Sequence, residues 1–513
     1  MPDKLLDNRR VVKNTFYLYI RMFLMMAITL YTSRVVLATL GIIDFGIYNT
    51  VAAIVAMMGF LNSSMSNAVQ RFLSYEMGYG DSKKICDIFN AALRVHAIIA
   101  LIVLVLMELV GLWLLDGRLN IPCDRIQAAQ CVFHCSVVMM VFSIIQVPYN
   151  SMIISKEDMN VYAFVSIIEV LFKLGVVYFL ILCNSDKLQL YAILTMVVTI
   201  FITICYILYC IWHYIEVRIS RINTYKNIKD LMTFAGWNIF GELSWIFTIQ
   251  GVTLLLNVFW GPVVNAARAI ALQVDTAVSR FVINFQAALN PQIIKNYAAH
   301  HIHDTLKLFY RGTRVSYYLL LILSLPILFE TNYLLALWLE DVPPLTDSFC
   351  KIAIITSLVQ CVSNLFATIA KAYGQIRNYQ LVVSMLIGLN FPMAYLIIWL
   401  GGNVLLVVST TIFVQLCVLV ARILLTKRMI NYSICDFIKN VIFPILSVTI
   451  VSCIVPYSIC MCYKEGLYRC LLNLVITVIS TLVVIWSIGL KRAERQFVLQ
   501  SIKVKIALLN NEK

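Results

Sequence analysis

A chain of 513 residues with 61% apolar and only 13% charged residues, and a mean hydropathy of +0.87, lies outside the soluble globular range and reads as a polytopic membrane protein. Its formal charge of +14 would point to nucleic acid in a soluble chain, but here the basic residues collect in alternate loops between apolar runs, which excludes that partner. The 15 cysteines are scattered through the apolar runs as small packing residues rather than set out as a disulfide frame.

Windows of about 20 apolar residues predict an all-α fold with about fourteen transmembrane helices. They fall at 15–39, 42–67, 87–115, 127–154, 160–183, 188–214, 232–259, 263–290, 306–338, 348–371, 378–400, 403–426, 438–461 and 467–490. The first run, from Phe16 to about Leu40, is too long for a cleavable signal peptide and is expected to stay. Lys4, Arg9, Arg10 and Lys13 precede the first span, Arg218, Arg221, Lys226 and Lys229 follow the sixth, and Lys491, Arg492 and Arg495 follow the last. The excess of Lys and Arg on that side predicts that both termini are cytoplasmic.

The connections on the other side are short, with Gly261–Pro262 joining spans seven and eight and Gly401–Gly402 joining spans eleven and twelve. No loop is large enough to hold an active site, so the chain is expected not to be an enzyme. The long inner connection at about 215–231 divides the chain into two lobes of six helices, 1–225 and 226–430, followed by a C-terminal pair with a basic tail, 431–513.

Within this frame the stretch Asn265–Gln292 stands apart. At 100° per residue Arg268, Asp275, Ser279 and Gln286 share one stripe, with Asn265, Thr276 and Asn290 beside it. A lipid-facing charge at mid-depth costs roughly 3 kcal/mol or more, so the stripe must face protein or water. From Arg268 to Gln286 it runs about 27 Å, close to the hydrocarbon thickness.

Further costly charges are Arg21, Arg34, Arg94 and Glu108 in the first three spans, Glu169 and Lys173 in the fifth, Glu242 in the seventh and Arg280 in the eighth. They suggest a hydrated cationic chamber between the lobes. An arginine there suits a phosphate group, because its planar fork donates two parallel hydrogen bonds and stays charged. Arg21 and Arg268 are the leading anion-binding candidates, with Arg34, Arg280 and Gln286 behind them; Arg34 also reads as a residue snorkelling to the outer boundary. Glu169 and Lys173, spaced i, i+4 with Glu first, read as a mutually neutralising pair or as part of ion coupling. Glu242 and Asp275 are the stronger coupling candidates, since an isolated carboxylate in a low-dielectric cavity takes up a proton readily. His300, His301 and His303, and Cys460, Cys462 and Cys470, lack the ligand sets a metal needs, so neither metal nor cofactor is expected.

The segments LGIIDFGIYNTVAAIVAM, Leu40–Met57, and NAARAIALQVDTAVSRFVINFQAALNPQIIKNYA, Asn265–Ala298, resemble polysaccharide-unit flippases of the O-antigen (Wzx) type. These belong to the multidrug/oligosaccharidyl-lipid/polysaccharide exporter superfamily, whose fourteen-helix, two-lobe plan fits the whole chain. The resemblance implies an alternating-access flippase of the bacterial inner membrane. Its cargo would be an oligosaccharide on an undecaprenyl-diphosphate carrier, delivered for O-antigen, capsule or exopolysaccharide assembly. It also implies membrane lipids, a polysaccharide polymerase and a chain-length regulator as partners, and it carries arginines of the lipid II flippase cavity onto Arg21 and Arg268. A drug or cation antiporter of the same superfamily is the alternative, although that would favour an acidic cavity. A membrane polymerase or ligase acting on the same carrier is a further one.

Overall fold

The structure, a computed structural model, describes residues 2–79, 81–115, 119–156, 158–183, 185–218, 243–298, 301–373, 376–492 and 494–496, and of residues 2–23, 60, 61, 63, 64, 67, 71, 74, 75, 78, 79, 112, 114, 115, 159, 287, 288, 291, 292, 295, 298, 371 and 376 the backbone alone. Among the described residues there are helices and turns and no strand, as an apolar chain without water to satisfy its backbone requires. In chain order the helices are α1 Pro2–Ala56, α2 Gly59–Tyr79, α3 Ser82–Leu115, α4 Ile126–Ser155, α5 Met159–Leu182, α6 Lys187–His213, α7 Leu243–Trp260 and α8 Pro262–Ala298. They continue as α9 Ile302–Phe329, α10 Thr331–Trp338, α11 Thr346–Tyr373, α12 Arg377–Trp399, α13 Val404–Ile430, α14 Ile434–Cys462 and α15 Leu467–Gly489.

Twelve of the described helices are long and apolar enough to cross a membrane. The other two expected spans fall on α1 and α2 beyond the break at Gly41, where φ is 78° and ψ 168°, and on α8, whose polar stripe keeps it out of those twelve. The chain is an all-α, multi-pass membrane protein. Where helices overrun the expected spans, as α2 does to Tyr79 and α8 to Ala298, polar residues continue the helix beyond the apolar window. Expected span 306–338 divides at Glu330 into α9 and α10. All cysteines among the described residues are free thiols, Cys460, Cys462 and Cys470 included.

The chain forms two compact units: 1–269 with 339–345 and 387–407, and 270–338 with 346–386 and 408–513. In the first, α4 is the central helix, packed against α1, α2, α3, α5 and α6. An ionic clamp ties three of its helices together. Arg125, just before α4, donates through Nε to Asp44 of α1 at 2.8 Å and through Nη1 to Asp186 at 2.8 Å, while Asp186 caps the first turn of α6 at Leu188 N and Gln189 N. Arg125 stands in a short connection, where a charge is ordinarily solvated, so nothing local in the sequence marks this clamp.

The left-handed Gly261, φ 81°, turns the chain from α7 into α8. This turn rests directly on α1, where a Cβ built on Gly46 would collide with the carbonyl oxygen of Pro262. Gly46→Ala therefore forces its new methyl against backbone, and overpacking of this kind costs about 1–3 kcal/mol. It is expected to lower the thermal midpoint of the purified protein by several degrees, and an unchanged midpoint would show that the turn yields freely.

The core of the second unit is aromatic. Phe309, Phe366 and Phe437, all fully buried, place their rings 4.9 Å (Phe309–Phe366), 5.2 Å (Phe366–Phe437) and 6.0 Å (Phe309–Phe437) apart. Around it α9 packs on α11, α14 and α15.

Candidate functional site

The polar stripe of α8 is engaged along its whole length. In the first unit, Asn265 donates to Thr50 Oγ1 of α1 at 2.8 Å, and Asn257 of α7 donates to the same hydroxyl at 3.3 Å. Thr50 Oγ1 itself donates to Gly46 O at 2.8 Å, and Asn257 Oδ1 accepts from Asn120 N at 3.0 Å. All three polar side chains, Thr50, Asn257 and Asn265, are buried, and Asn265 Oδ1 has no partner among the described residues. This seam joins the two segments that carry the family resemblance.

One turn further on, Arg268 is 6% exposed. Its Nε donates to Thr253 Oγ1 at 3.1 Å and its Nη2 to Ile249 O at 3.3 Å, while Thr253 itself donates to Ile249 O at 2.9 Å. Ile249 sits in the π-helical turn Phe247–Gly251, and such a turn shifts the carbonyl register and frees an acceptor for a side chain. The guanidinium is thus fixed by neutral partners alone. Among the described residues no carboxylate pairs with it, and Nη1 has no partner. A buried cation held this way favours any anion that reaches it.

In the second unit, the stripe of α8 faces a matching stripe on α11. Asp275 accepts from Ser357 Oγ at 2.5 Å and from Ser279 Oγ at 3.4 Å. Gln286, buried, donates to Cys361 O at 3.1 Å and accepts from Asn364 at 3.3 Å, and Asn290 accepts from Thr368 at 2.6 Å. Ser357, Cys361, Asn364 and Thr368 repeat at i, i+4, i+7 and i+11, so they line one face of α11. That spacing stands in the sequence and is the signal by which the partner helix could have been found.

The remaining expected residues divide as follows. Arg280 is exposed on the side of α8 that carries Thr276 and Ile283, and is not gathered with Asp275 and Gln286. Arg34 reaches Glu340 at 4.0 Å, both partly exposed. Glu169 and Lys173 close an ion pair at 2.6 Å. The side chain of Arg21, the whole of Glu242, and His300 lie outside the described residues. Among the described residues no cluster of His, Cys, Asp or Glu could hold a metal ion.

Two buried ionic contacts, one on α9 and one at its C-cap, are not marked in the sequence. Near its end Glu330, 1% exposed, accepts from Arg469 Nη2 at 3.0 Å and from Asn473 Nδ2 at 2.8 Å, both on α15. Some sixteen residues earlier, about 24 Å along the helix, Arg314 donates to Asn440 O at 3.2 Å and pairs with Glu494 at 2.5 Å. Together they fasten the last two helices to α9 at both ends.

Comparison with known proteins places this arrangement. A family model described as polysaccharide biosynthesis protein matches residues 11–297, more than half of the chain and nearly all of both resembling segments. The chain belongs to the polysaccharide biosynthesis protein family. No sequence among the curated proteins matches it. Among solved structures, this family member is similar in fold to the lipid II flippase MurJ in an inward closed conformation, with 10% identity, a TM-score of 0.68, and coverage of 92% of this chain and 98% of that one. It is also similar to the MATE multidrug transporter DinF-BH, with 14% identity, a TM-score of 0.62, and coverage of 83% and 97%. A third likeness is to an inward-facing MATE family transporter of the MOP superfamily, with 13% identity, a TM-score of 0.60, and coverage of 82% and 98%. The fold is the one these transporters share.

Proposed function

We propose that this protein is a flippase that carries an undecaprenyl-diphosphate-linked oligosaccharide across the bacterial inner membrane for surface polysaccharide assembly. The observation that carries the reading is Arg268, a buried guanidinium on α8 that is met by a hydroxyl and a carbonyl but by no carboxylate among the described residues. A diphosphate head supplies the missing charge with two acceptor oxygens on the guanidinium's open edge. Membership of a polysaccharide biosynthesis family and a fold shared with a lipid flippase support the same assignment. Arg21, Arg34, Arg280 and Gln286 remain the other candidates for cargo contact.

The protein acts as a carrier and makes or breaks no covalent bond. Both termini lie in the cytoplasm, membrane lipids surround the helices, and a polymerase and a chain-length regulator receive the translocated unit. Asp275, held by two serine hydroxyls, is the carboxylate on which ion coupling would rest, with Glu242 and the Glu169–Lys173 pair behind it. The same carboxylate is what a drug or cation antiporter would use.

The seam around Thr50, Asn257 and Asn265, with Gly46 against Pro262, holds α1 to α7 and to the start of α8 beside Arg268. Deleting the gene in its native host should abolish surface polymer and leave lipid-linked units facing the cytoplasm, both restored by a plasmid copy. Undiminished polymer would end the assignment.

A further inference from the structure

Between α5 and α6, which pack on one another, the first unit holds a groove of about 900 Å3. The short connection between these helices makes them antiparallel, so Asn160 and Tyr209 stand at one end of the groove and Phe172 and Phe201 at the other. The rings of Phe172 and Phe201 close that second end, edge to face at 5.3 Å, and Phe164 forms a wall between the ends. Phe164, Phe172 and Phe201 are 65%, 47% and 45% exposed, so the groove opens outwards rather than into the bundle. From Asn160 to Phe172 is about 18 Å of helix, close to the ~15 Å of half a bilayer's hydrocarbon core. The groove therefore runs from the interface to the midplane.

Its chemistry changes along that depth. No charged side chain lines it, and Lys173, which pairs with Glu169, stands about 180° around α5 from Phe164. At the shallow end Asn160 and His213 are exposed and polar. His213 stacks on Tyr209 at 4.2 Å, and its Nδ1 meets Tyr209 O at 3.1 Å. Tyr209 packs edge-on against Tyr214 at 5.9 Å, and Tyr214 donates to Asp158 at 2.5 Å. Lys156 lies over the Tyr214 ring at 5.8 Å and is neutralised by Glu216 at 2.7 Å. The mouth is thus fixed in place, and it offers hydrogen bonds rather than net charge.

A slot walled by aromatic rings loses dispersion contacts along its whole length if nothing fills it. The molecule that fits is apolar for the depth of one leaflet and polar where Asn160 and His213 stand. A phospholipid meets both conditions, because a leaflet is one acyl chain deep and the phosphodiester lies at its interface. An undecaprenyl chain is far longer than a slot that ends at Phe172 and Phe201.

We propose that the α5–α6 groove binds one phospholipid, with an acyl chain seated between Phe164 and Phe201 and the phosphodiester met by Asn160 and His213. The loop charges assign it to the cytoplasmic leaflet. The site is separate from Arg268 and stands or fails independently of what the protein transports.

The test titrates phosphatidylethanolamine into the full-length protein in detergent, with native mass spectrometry reading how many lipids are retained and how tightly. The wild type is expected to hold one lipid more tightly than the rest. Cys205→Trp, which puts an indole into the groove, should weaken that lipid about tenfold, and Asn160→Ala should weaken it severalfold. Phe179→Trp, on α5 beyond the groove, should bind as the wild type does. Lysophosphatidylethanolamine, with a single chain, should compete as well as the two-chain lipid.

The proposal is overturned if the wild type holds no lipid more tightly than the others, or if Phe179→Trp loses as much as Cys205→Trp. It is also overturned if undecaprenyl phosphate displaces the bound lipid at a lower concentration than lysophosphatidylethanolamine does, since the groove would then be a carrier site. Should Cys205→Trp fail to fold, Phe164→Ala decides: it removes an exposed ring and should weaken the lipid severalfold, and binding equal to the wild type would refute the site.

Discussion

Arg268→Ala, expressed at the wild-type level, is expected to abolish surface polysaccharide while lipid-linked units accumulate on the cytoplasmic side. Alanine removes the only charge in the triangle of Arg268, Thr253 and Ile249 O, so the site keeps its shape but loses the group that would meet a diphosphate. Losing charge-assisted hydrogen bonds of about 1.5–3 kcal/mol weakens cargo binding by roughly 10- to 100-fold. Arg268→Lys should retain part of the activity, because the charge survives while the fork does not. Unit accumulation, measured by extracting the carrier lipid, separates this outcome from a defect in synthesis, in which no unit would form. Normal surface polymer in Arg268→Ala would remove the residue from the site.

The largest effect on stability is expected at Glu330. Its carboxylate is buried and satisfied by Arg469 and Asn473, and Cys460 Sγ lies 3.6 Å from it. Glu330→Ala leaves Arg469 buried without its main counter-charge, and breaking a buried pair in this way costs about 3–5 kcal/mol. The purified variant should unfold at a clearly lower temperature, with α15 the first helix to become accessible to protease. Glu330→Met combined with Arg469→Leu should cost less than either single change, because no charge is stranded. Equal midpoints for Glu330→Ala and the wild type would show that the pair carries no net stability.

Apolar run length predicted the helices well, because it reports the one constraint a bilayer imposes on every crossing segment. Even α8, whose stripe lowers its hydropathy, stood out because its polar residues keep helical period. That the stripe must meet protein or water was also legible, and Asn265, Arg268, Asp275, Gln286 and Asn290 each meet a neighbour.

Partners at long sequence distance were not legible. Nothing local marks Thr50 as the acceptor for both Asn257 and Asn265, or Thr253 as the brace of Arg268, because each contact depends on how helices far apart in sequence come together. Glu330 and Arg314 were overlooked for a different reason. Each sits near the end of an apolar run, where a charge is ordinarily solvated, and only the docking of α15 and the segment after it buries them.

Transbilayer movement by the purified protein is the most direct measurement of the central claim. Liposomes containing it and a fluorescent undecaprenyl-diphosphate oligosaccharide are assayed for the fraction of label reachable by an external quencher. The account predicts that the wild type equilibrates the label between leaflets far faster than protein-free liposomes, and that Arg268→Ala does not. Equal rates with and without protein, or an Arg268→Ala variant as fast as the wild type, would contradict it.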